Sequence, residues 1–560
     1  MPHKYGKSTI ASSLKPKPKA TPKNKTPPKH VFNELTQEYK NIISKNSYIG
    51  KKGYTISKSL LSKEDEEFIR NDLFVKPDMK CPIYAENNAV SFPVFRESSN
   101  KIYIPRFYGI TRYGFPEKMD IEPGENINLQ FSKELRDYQI NIINIYMNYV
   151  RPNNENPDSQ ANPNSGAILE VPCGRGKTVM ALKIISLLSK KTIILVHKEF
   201  LMNQWIERIE EFLPNAKIGK IQGPIFDIEN KDIVIGMIQS MYNRDFAPDA
   251  FSSFGLTIID EVHRIGSEEF SKTLFRIITP YMLGISATVE RKDGLTKILY
   301  MYIGEKIYTE TRKDEDLVCV RGIKYTTQDS VFNEMEYDYR GNPKYSTMIT
   351  KLSTYGPRSD FIVKIIADLL QEDPNKQIMV LTHNRSLLEY LYNAIEHKKI
   401  DSVGYYVGGM KRTSLIETES KKIVLATYAM AAEALDIKTL STLIMASPRT
   451  DIEQSVGRIL RARHANPVVI DIIDSHDIFQ NQWRQRKRFY KKCNYMIRTI
   501  QSNNYKGMNI DWSQDNTWKC EYDPTHTKKI ICEPGDDEPE EPKIAPKIGK
   551  CLIHMDENEL

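Results

Sequence analysis

From residue 166 onward, short apolar runs alternate with stretches whose apolar residues recur every three or four positions. The runs AILEV (167–171), TIILVH (192–197), KDIVIGM (231–237), LTIID (256–260) and LGISAT (283–288) are nearly continuous and end in polar residues. Strands buried on both faces of a parallel sheet read this way. VMALKIISLLSK and KEFLMNQWIERIEEFL, lying between them, carry helical spacing. A second series, of about 130 residues, starts near DFIVKIIADLLQ and continues through QIMVLTH, NRSLLEYLYNAI, SVGYYVG, KKIVLAT, TLIMAS and PVVIDIID. Upstream, SLLSKEDEEFIRNDLF predicts a helix, while AVSFPVF and KIYIPRFYGI look like strands. The pattern predicts an α/β protein with two tandem parallel-sheet domains, at 129–310 and 346–475, joined by a linker at 311–345. An α+β accessory domain at 31–128 precedes them, and residues 476–560 form a C-terminal extension.

Composition changes this picture only at the ends. The 560 residues exceed what one hydrophobic core supports, which agrees with several domains. No window approaches the roughly 18 apolar residues of a membrane span, and the N-terminus lacks the apolar core of a secretory signal. The expectation is a non-secreted protein without a membrane partner. Cys81, Cys173, Cys319, Cys493, Cys520, Cys532 and Cys551 are scattered without a CxxC pair, which argues against both a disulfide framework and zinc. The net charge of +7 matters less than its placement. The first 30 residues hold eight lysines, six prolines and no acid, so they are expected not to pack. Such a segment suits a solubilising tail, attraction to nucleic acid or a nuclear address. DDEPEEP (536–542) is acidic and is expected not to fold alone. The run Arg484, Arg486, Lys487, Arg488, Lys491 and Lys492 fits either a nucleic-acid track or a solvated helix face.

The candidate chemistry starts at EVPCGRGKT (170–178), between a strand and a helix. Backbone N–H groups of a glycine-rich loop converge on phosphate oxygens, and the helix that follows points its positive end at them. Gly174 and Gly176 permit the close approach, Lys177 reaches terminal phosphates and Thr178 holds magnesium. The full GxxxxGK[ST] pattern is broken by Val171, and an ordinary strand-to-helix turn is the plain alternative. Asp260 and Glu261 follow an apolar strand, where ligands bind in open α/β sheets. Asp260 would hold the water shell of magnesium, and Glu261 would polarise the attacking water. His263 suits a coupling role between this site and the rest of the molecule, or a packed surface position. In the second domain Gln454, Arg458 and Arg461 stand at i, i+4 and i+7, one face of a helix. If that face meets the phosphate loop across a cleft, its arginines neutralise charge on the transferring phosphoryl group.

With these pieces in order, the chain resembles a superfamily 2 helicase, in particular the XPB-like branch that includes phage and poxvirus-type DNA-dependent ATPases. PCGRGKT is similar to that branch's phosphate loop, making Val171 a variant form. The resemblance spans about 129 to 475 and implies two RecA-like domains that bind ATP and Mg2+. It places Pro172, Cys173, Gly174, Arg175, Gly176, Lys177 and Thr178 around the phosphates, with Thr178 and Asp260 at the metal. By LRDYQ (135–139), Arg136 and Gln139 would recognise the nucleotide. SAT (286–288) implies coupling roles for Ser286 and Thr288, as ATYAMAAEALDI (426–437) does for Glu433 and Asp436. ERKDGL (290–295) is a close match to the branch. HKEFLMNQW and THN (382–384) belong to strand-contacting motifs, and contacts are expected near His197, Gln239, Thr382 and Thr427. Movement in the 3′ to 5′ direction is implied. PRFYGITRYGFP (105–116) is similar to the lead-in of large-DNA-virus helicases, including the poxvirus transcript-release factor, and the Asn/Lys/Ile/Tyr-rich composition fits an AT-rich genome. Residues 1–128 and 476–560 match no accessory region of the repair proteins. The leading expectation is a monomeric DNA-dependent ATPase in viral transcript release or elongation, partnered by DNA and by RNA polymerase or transcription factors. It would work in the virion and host cytoplasm, or in a nucleus if not viral. The alternatives are a DNA repair or recombination helicase, an RNA helicase and a non-hydrolytic scaffold.

Overall fold

The computed structural model describes residues 35–77, 91–151, 165–172, 174–247, 249–264, 267–291, 293–310, 318–433, 437–460, 464, 467–508, 510 and 517–527. The basic and acidic terminal tails lie outside these residues. Two eight-stranded sheets dominate. In the first, the spatial order is Ile225–Phe226, Ile218–Gln222, Ile233–Met237, Thr192–Val196, Leu256–Asp260, Tyr281–Ser286, Gly166–Glu170 and Glu305–Thr309. Successive residues of one strand enter different cores: Ile193 and Leu195 pack on one side, Ile194 and Val196 on the other. That is why these strands read as unbroken apolar runs.

The second sheet has the order Val403–Tyr406, Ile423–Thr427, Gln377–Thr382, Leu440–Met445, Val468–Asp474, Cys319–Tyr325, Met496–Gln501 and Lys519–Tyr522. It too is buried on both faces, with Ile378 and Val380 opposed to Met379 and Leu381. The architecture is thus α/β with two RecA-like sheet domains and an N-terminal accessory region. Each sheet ends in one antiparallel strand, Ile225–Phe226 or Lys519–Tyr522. For the first, the two residues Gly223 and Pro224 that connect it to Ile218–Gln222 are too few for a parallel crossover.

The segment expected to link the domains behaves differently. Its strand Cys319–Tyr325 sits inside the second sheet, paired on both sides with parallel neighbours. The expected C-terminal extension likewise supplies the helix Asp477–Lys492 and the strands Met496–Gln501 and Lys519–Tyr522. These pieces are charged, and the charges are neutralised by residues far away in sequence. Arg321 pairs with Glu372 at 2.7 Å, and Thr499 and Lys487 both bind Glu521. Arg486, expected on an exposed basic face, is buried and holds Asp471 with two hydrogen bonds of 2.8 and 2.9 Å.

The accessory region combines a five-stranded sheet with the helices Gln37–Lys45, Lys63–Asp72 and Arg106–Tyr113. Lys63–Asp72 starts where expected, its Ser62 hydroxyl accepting from the Asp65 N–H. KIYIPRFYGI is strand only through Lys101–Ile104, and Arg106–Tyr113 is helix. Pro105, with its fixed φ and no N–H to contribute, makes the change of direction. Among the described residues of AVSFPVF, Phe92–Pro93 is a two-residue strand. This region shares one core with the first sheet domain, in which Ile49, Ile102 and Phe107 join Ile168 and Leu195. Across that junction the buried Arg106 donates to the carbonyls of Thr279 and Pro280, both at 3.0 Å. Among the described residues no helix is long and apolar enough to cross a membrane, and no cluster of three His, Cys, Asp or Glu groups fits a metal ion.

Candidate functional site

Three strand ends of the first sheet lie side by side: Gly166–Glu170, Tyr281–Ser286 and Leu256–Asp260. The glycine-rich loop leaves the first and enters the helix Lys177–Leu188. Gly174 and Gly176 have φ of 80° and 79°, a region that disfavours a side chain. A Cβ on Gly176 would also stand 2.4 Å from Nε2 of Gln139. This approach explains LRDYQ locally: Gln139 Nε2 and the Tyr138 hydroxyl both donate to the Arg175 carbonyl, at 3.3 and 3.2 Å. Gln139 Oε1 accepts from the Arg136 N–H at 3.0 Å. The Arg175 guanidinium stacks on Tyr138 at 4.0 Å and bonds Glu310 at 2.8 Å. Pro172 leads into the loop, while Cys173 lies outside the described residues. Thr178 occupies the first turn of the helix.

Lys177 Nζ lies 3.4 Å from Glu261 Oε1. Asp260, the buried last residue of its strand, accepts from Trp205 Nε1 at 2.9 Å. Burial pushes its pKa up to about 6; Glu261 adds repulsion, and Lys177 and the Trp205 bond oppose the rise. Glu261 holds a φ of 50°, unusual for a residue with a side chain, and its N–H donates to Asp260 Oδ1 at 2.9 Å. The two adjacent carboxylates therefore face different groups.

From Glu261 a polar chain runs away from the loop. Oε2 is 3.4 Å from His263 Nδ1 and 3.5 Å from the Ser286 hydroxyl. His263 Nδ1 and Ser286 Oγ are themselves 2.7 Å apart, and Ser286 donates to the Thr288 carbonyl at 2.5 Å. Arg291 closes the group by donating to the His263 carbonyl at 3.0 Å while paired with Asp293. The residues of DEVH, SAT and ERKDGL thus form one hydrogen-bonded unit.

On the neighbouring strand ends, Gln239 Nε2 donates to the His197 carbonyl at 3.1 Å, joining two expected strand contacts. In the second domain Thr427 is partly exposed and accepts from the Met430 N–H at 3.5 Å. Thr382 differs from expectation. It is wholly buried, with its hydroxyl accepting from the Asn384 N–H, so that side chain is not open to a strand. The last inward position of a buried strand is the reason. His383 beside it bonds Ser447 at 2.8 Å, and burial together with Arg449 lowers its pKa to about 3.

The segment with Gln454 and Arg458 is not one continuous α-helix. Glu453–Val456 is a single α turn, and Gly457–Leu460 tightens to a 3-10 turn. A 3-10 turn has three residues rather than 3.6, so the backbone spacing changes at Gly457, while the side chains of Gln454, Arg458 and Arg461 lie outside what the structure describes. Glu433 ends the helix Tyr428–Glu433, while Asp436 and Arg461 lie outside the described residues. The start of this segment faces the first domain. Burial raises the pKa of Glu453, Asp451 adds to it, and Lys177 and Glu170 of the first domain both act on it. Arg412 and Glu207 form an ion pair between the two domains.

Residues outside the candidate set complete the site: Trp205, Tyr138, Glu310 and Arg291. Trp205, Tyr138 and Arg291 sit inside the stretches HKEFLMNQW, LRDYQ and ERKDGL, so position within a motif was their available signal. Glu310 had none, since only the fold brings it to Arg175.

A glycine-rich loop, a lysine beside a carboxylate pair, and a facing second α/β domain belong to an architecture of two RecA-like domains. Residues 132–291 match the family model for the type III restriction enzyme res subunit. A mimivirus protein named "Putative ATP-dependent RNA helicase L396" (Acanthamoeba polyphaga mimivirus) is 34% identical, covering 80% of this chain and 85% of its own length. African swine fever virus (isolate Tick/Malawi/Lil 20-1/1983) "Putative ATP-dependent RNA helicase QP509L" is 30% identical over 59% of this chain and 69% of its own. "DNA 3'-5' translocase XPB2" of Sulfurisphaera tokodaii is 23% identical over 66% and 89%. The chain belongs to the superfamily 2 helicases, related to those of large DNA viruses and to the XPB-like branch. These matches do not single out the poxvirus transcript-release enzyme suggested by residues 105–116. Membership implies ATP-hydrolysing helicase or translocase activity.

The residues present fit ATP and Mg2+. Two adjacent carboxylates, one of them buried with a raised pKa, form a donor set that a divalent cation relieves, and Thr178 stands at the neighbouring helix start.

Proposed function

We propose that this chain couples ATP hydrolysis to movement along a strand of RNA. The observation that carries the motor is the polar chain from Lys177 through Glu261 to His263 and Ser286. Bound magnesium, held by Thr178 and Asp260, would neutralise charge on the phosphates. As ATP arrives, Lys177 exchanges the Glu261 carboxylate for phosphate oxygens. Glu261, relieved of its ammonium partner, then accepts a proton from the attacking water. Its second oxygen faces His263 and Ser286, so a change of charge on Glu261 rearranges the hydrogen bonds of that unit. Arg291 ties the same unit to the following turn, which carries the change toward the domain boundary. Arg458 and Arg461 would neutralise charge on the transferring phosphoryl group from the second domain. Trp205 holds Asp260 as a carboxylate acceptor, and Arg136 with Gln139 fixes the loop on the base side.

The strand runs past His197, Gln239 and Thr427, gripped through phosphates so that base sequence is immaterial. RNA is favoured over the DNA-dependent transcription role because the mimiviral and African swine fever virus relatives carry RNA helicase names. The XPB2 relative, named a DNA translocase, supports DNA tracking as the second reading. Large-DNA-virus relatives support work in a virion or host cytoplasm. ATP turnover measured against RNA, DNA and hybrid duplexes, together with displacement of a labelled strand, tests the proposal. RNA should give the largest stimulation. Equal turnover with no polynucleotide removes the motor, and stimulation by DNA alone replaces RNA with the second reading.

A further inference from the structure

The accessory region's sheet runs Arg96–Glu97, Lys101–Ile104, Gly53–Ser57, Tyr48–Gly50 and Lys118–Asp120. Its two faces differ sharply. Ile49, Tyr54, Ile56, Ile102 and Ile104 enter the core shared with the first domain. The alternate residues face the other way, and the register aligns them into one row. Lys118 pairs with Tyr48, Tyr48 with Thr55, and Thr55 with Tyr103. Directly opposed residues in a sheet share a face, so two tyrosines flank one small residue on the side away from the core.

Lysines cluster over these rings. Lys101 Nζ stands 5.2 Å from the Tyr48 ring and donates to its hydroxyl at 3.2 Å. Lys52 lies 5.0 Å from the Tyr103 ring and Lys118 5.9 Å from Tyr48. Lys52 and Lys118 are exposed, and both rings keep part of their surface in solvent. Asp120 stands two residues along from Lys118, and Asp120 and Glu122 both act on the neighbouring Lys51.

We infer that this face binds single-stranded polynucleotide, with bases stacked on Tyr48 and Tyr103 and phosphates held by Lys52, Lys101 and Lys118. Every base has a π face, so the platform accepts any sequence, as a translocating motor requires. As a base stacks, the ammonium groups leave the ring faces, and their flexible stems carry them to the flanking phosphates. Phosphates could come from RNA or DNA, since stacking and charge read neither sugar. The face adjoins the first sheet domain: Lys51, beside Lys52, is ion-paired with Asp249, in the segment between the helix Ile238–Asn243 and the strand Leu256–Asp260. A strand held on both surfaces gains effective concentration at each, so the accessory region acts as a second grip.

The test uses the full chain without nucleotide and fluorescent 20-mers of RNA and DNA of mixed sequence. Tyr48→Ala with Tyr103→Ala should weaken binding about tenfold or more. Lys52→Gln with Lys118→Gln, both at exposed positions, should weaken it and make the slope of log K against log salt shallower by about 1.4. Photo-crosslinking of a 4-thiouridine RNA or 4-thiothymidine DNA should label the peptides containing Tyr48 or Tyr103, and comparing the two arms gives the sugar preference. Affinities within threefold of the unaltered chain in the lysine variant, with no label on either peptide, overturn the inference. The lysine variant and the crosslink decide the matter if the tyrosine variant does not fold. This outcome is separate from the motor proposal, which fails only if polynucleotide leaves the unaltered chain's turnover unchanged.

Discussion

Replacing Trp205 by Phe isolates one hydrogen bond at the centre of the site. The ring remains apolar and aromatic, but the N–H that donates to Asp260 Oδ2 at 2.9 Å is lost. A hydrogen bond to a charged group contributes about 1.5–3 kcal/mol, which equals about one to two pKa units at 1.36 kcal/mol each. The Asp260 pKa, already raised to about 6 by burial and by Glu261, should therefore rise further. The sign for stability follows from that direction. Asp260 is a carboxyl raised in the fold, so ionising it weakens the folded state as pH rises through the folded pKa. Above about pH 9 both proteins have an ionised Asp260, and the variant lacks the bond that offset its burial. Near pH 4 both folded proteins carry a protonated Asp260, and only the loss of packing by the smaller ring remains. The difference in urea unfolding free energy should shrink by about 1.5–3 kcal/mol between those limits. The acid limb of kcat/KM for ATP should move up by about one to two pH units, since that ratio reports the free enzyme. A stability difference independent of pH, with an unmoved acid limb, would show that Trp205 only fills space.

Lys177→Ala should reduce polynucleotide-stimulated turnover at least about a hundredfold while the chain still folds, as read by circular dichroism. Unchanged turnover removes the site assignment. Gly176→Ala places a Cβ against Gln139 at a φ of 79°, and a fluorescent ATP analogue should bind at least about tenfold more weakly, a left-handed side chain alone costing about 1–2 kcal/mol. Arg486→Met leaves the buried Asp471 carboxylate without its bidentate partner and should cost about 3–5 kcal/mol by chemical denaturation. Adding Asp471→Leu should recover most of that loss, and failure to recover would mean that packing of the arginine stem is the main term. Ser286→Ala removes a partner of both His263 and Glu261 and should lower strand displacement more than ATP turnover, read in parallel assays.

Part of this molecule was legible before any folding. Strands such as Thr192–Val196 and Gln377–Thr382 are buried on both faces, so their composition alone announces them, and EVPCGRGKT and IIDEVH carry their chemistry in consecutive residues. The limits were physical. KIYIPRFYGI is apolar throughout, and local composition does not say that Pro105 turns strand into helix. Cys319–Tyr325 looked like a linker because Arg321 and Lys324 are charged, yet Glu372 and Glu521 neutralise them inside a sheet.

What the sequence determined by itself is the list of elements and the chemical parts, because alternation and motif spacing act over a few residues. What the tertiary structure decided is which charges are neutralised and which face one another: Arg486 with Asp471, Glu310 with Arg175, Trp205 with Asp260. Those pairings join residues from 15 to 135 positions apart, and only packing sets their distance.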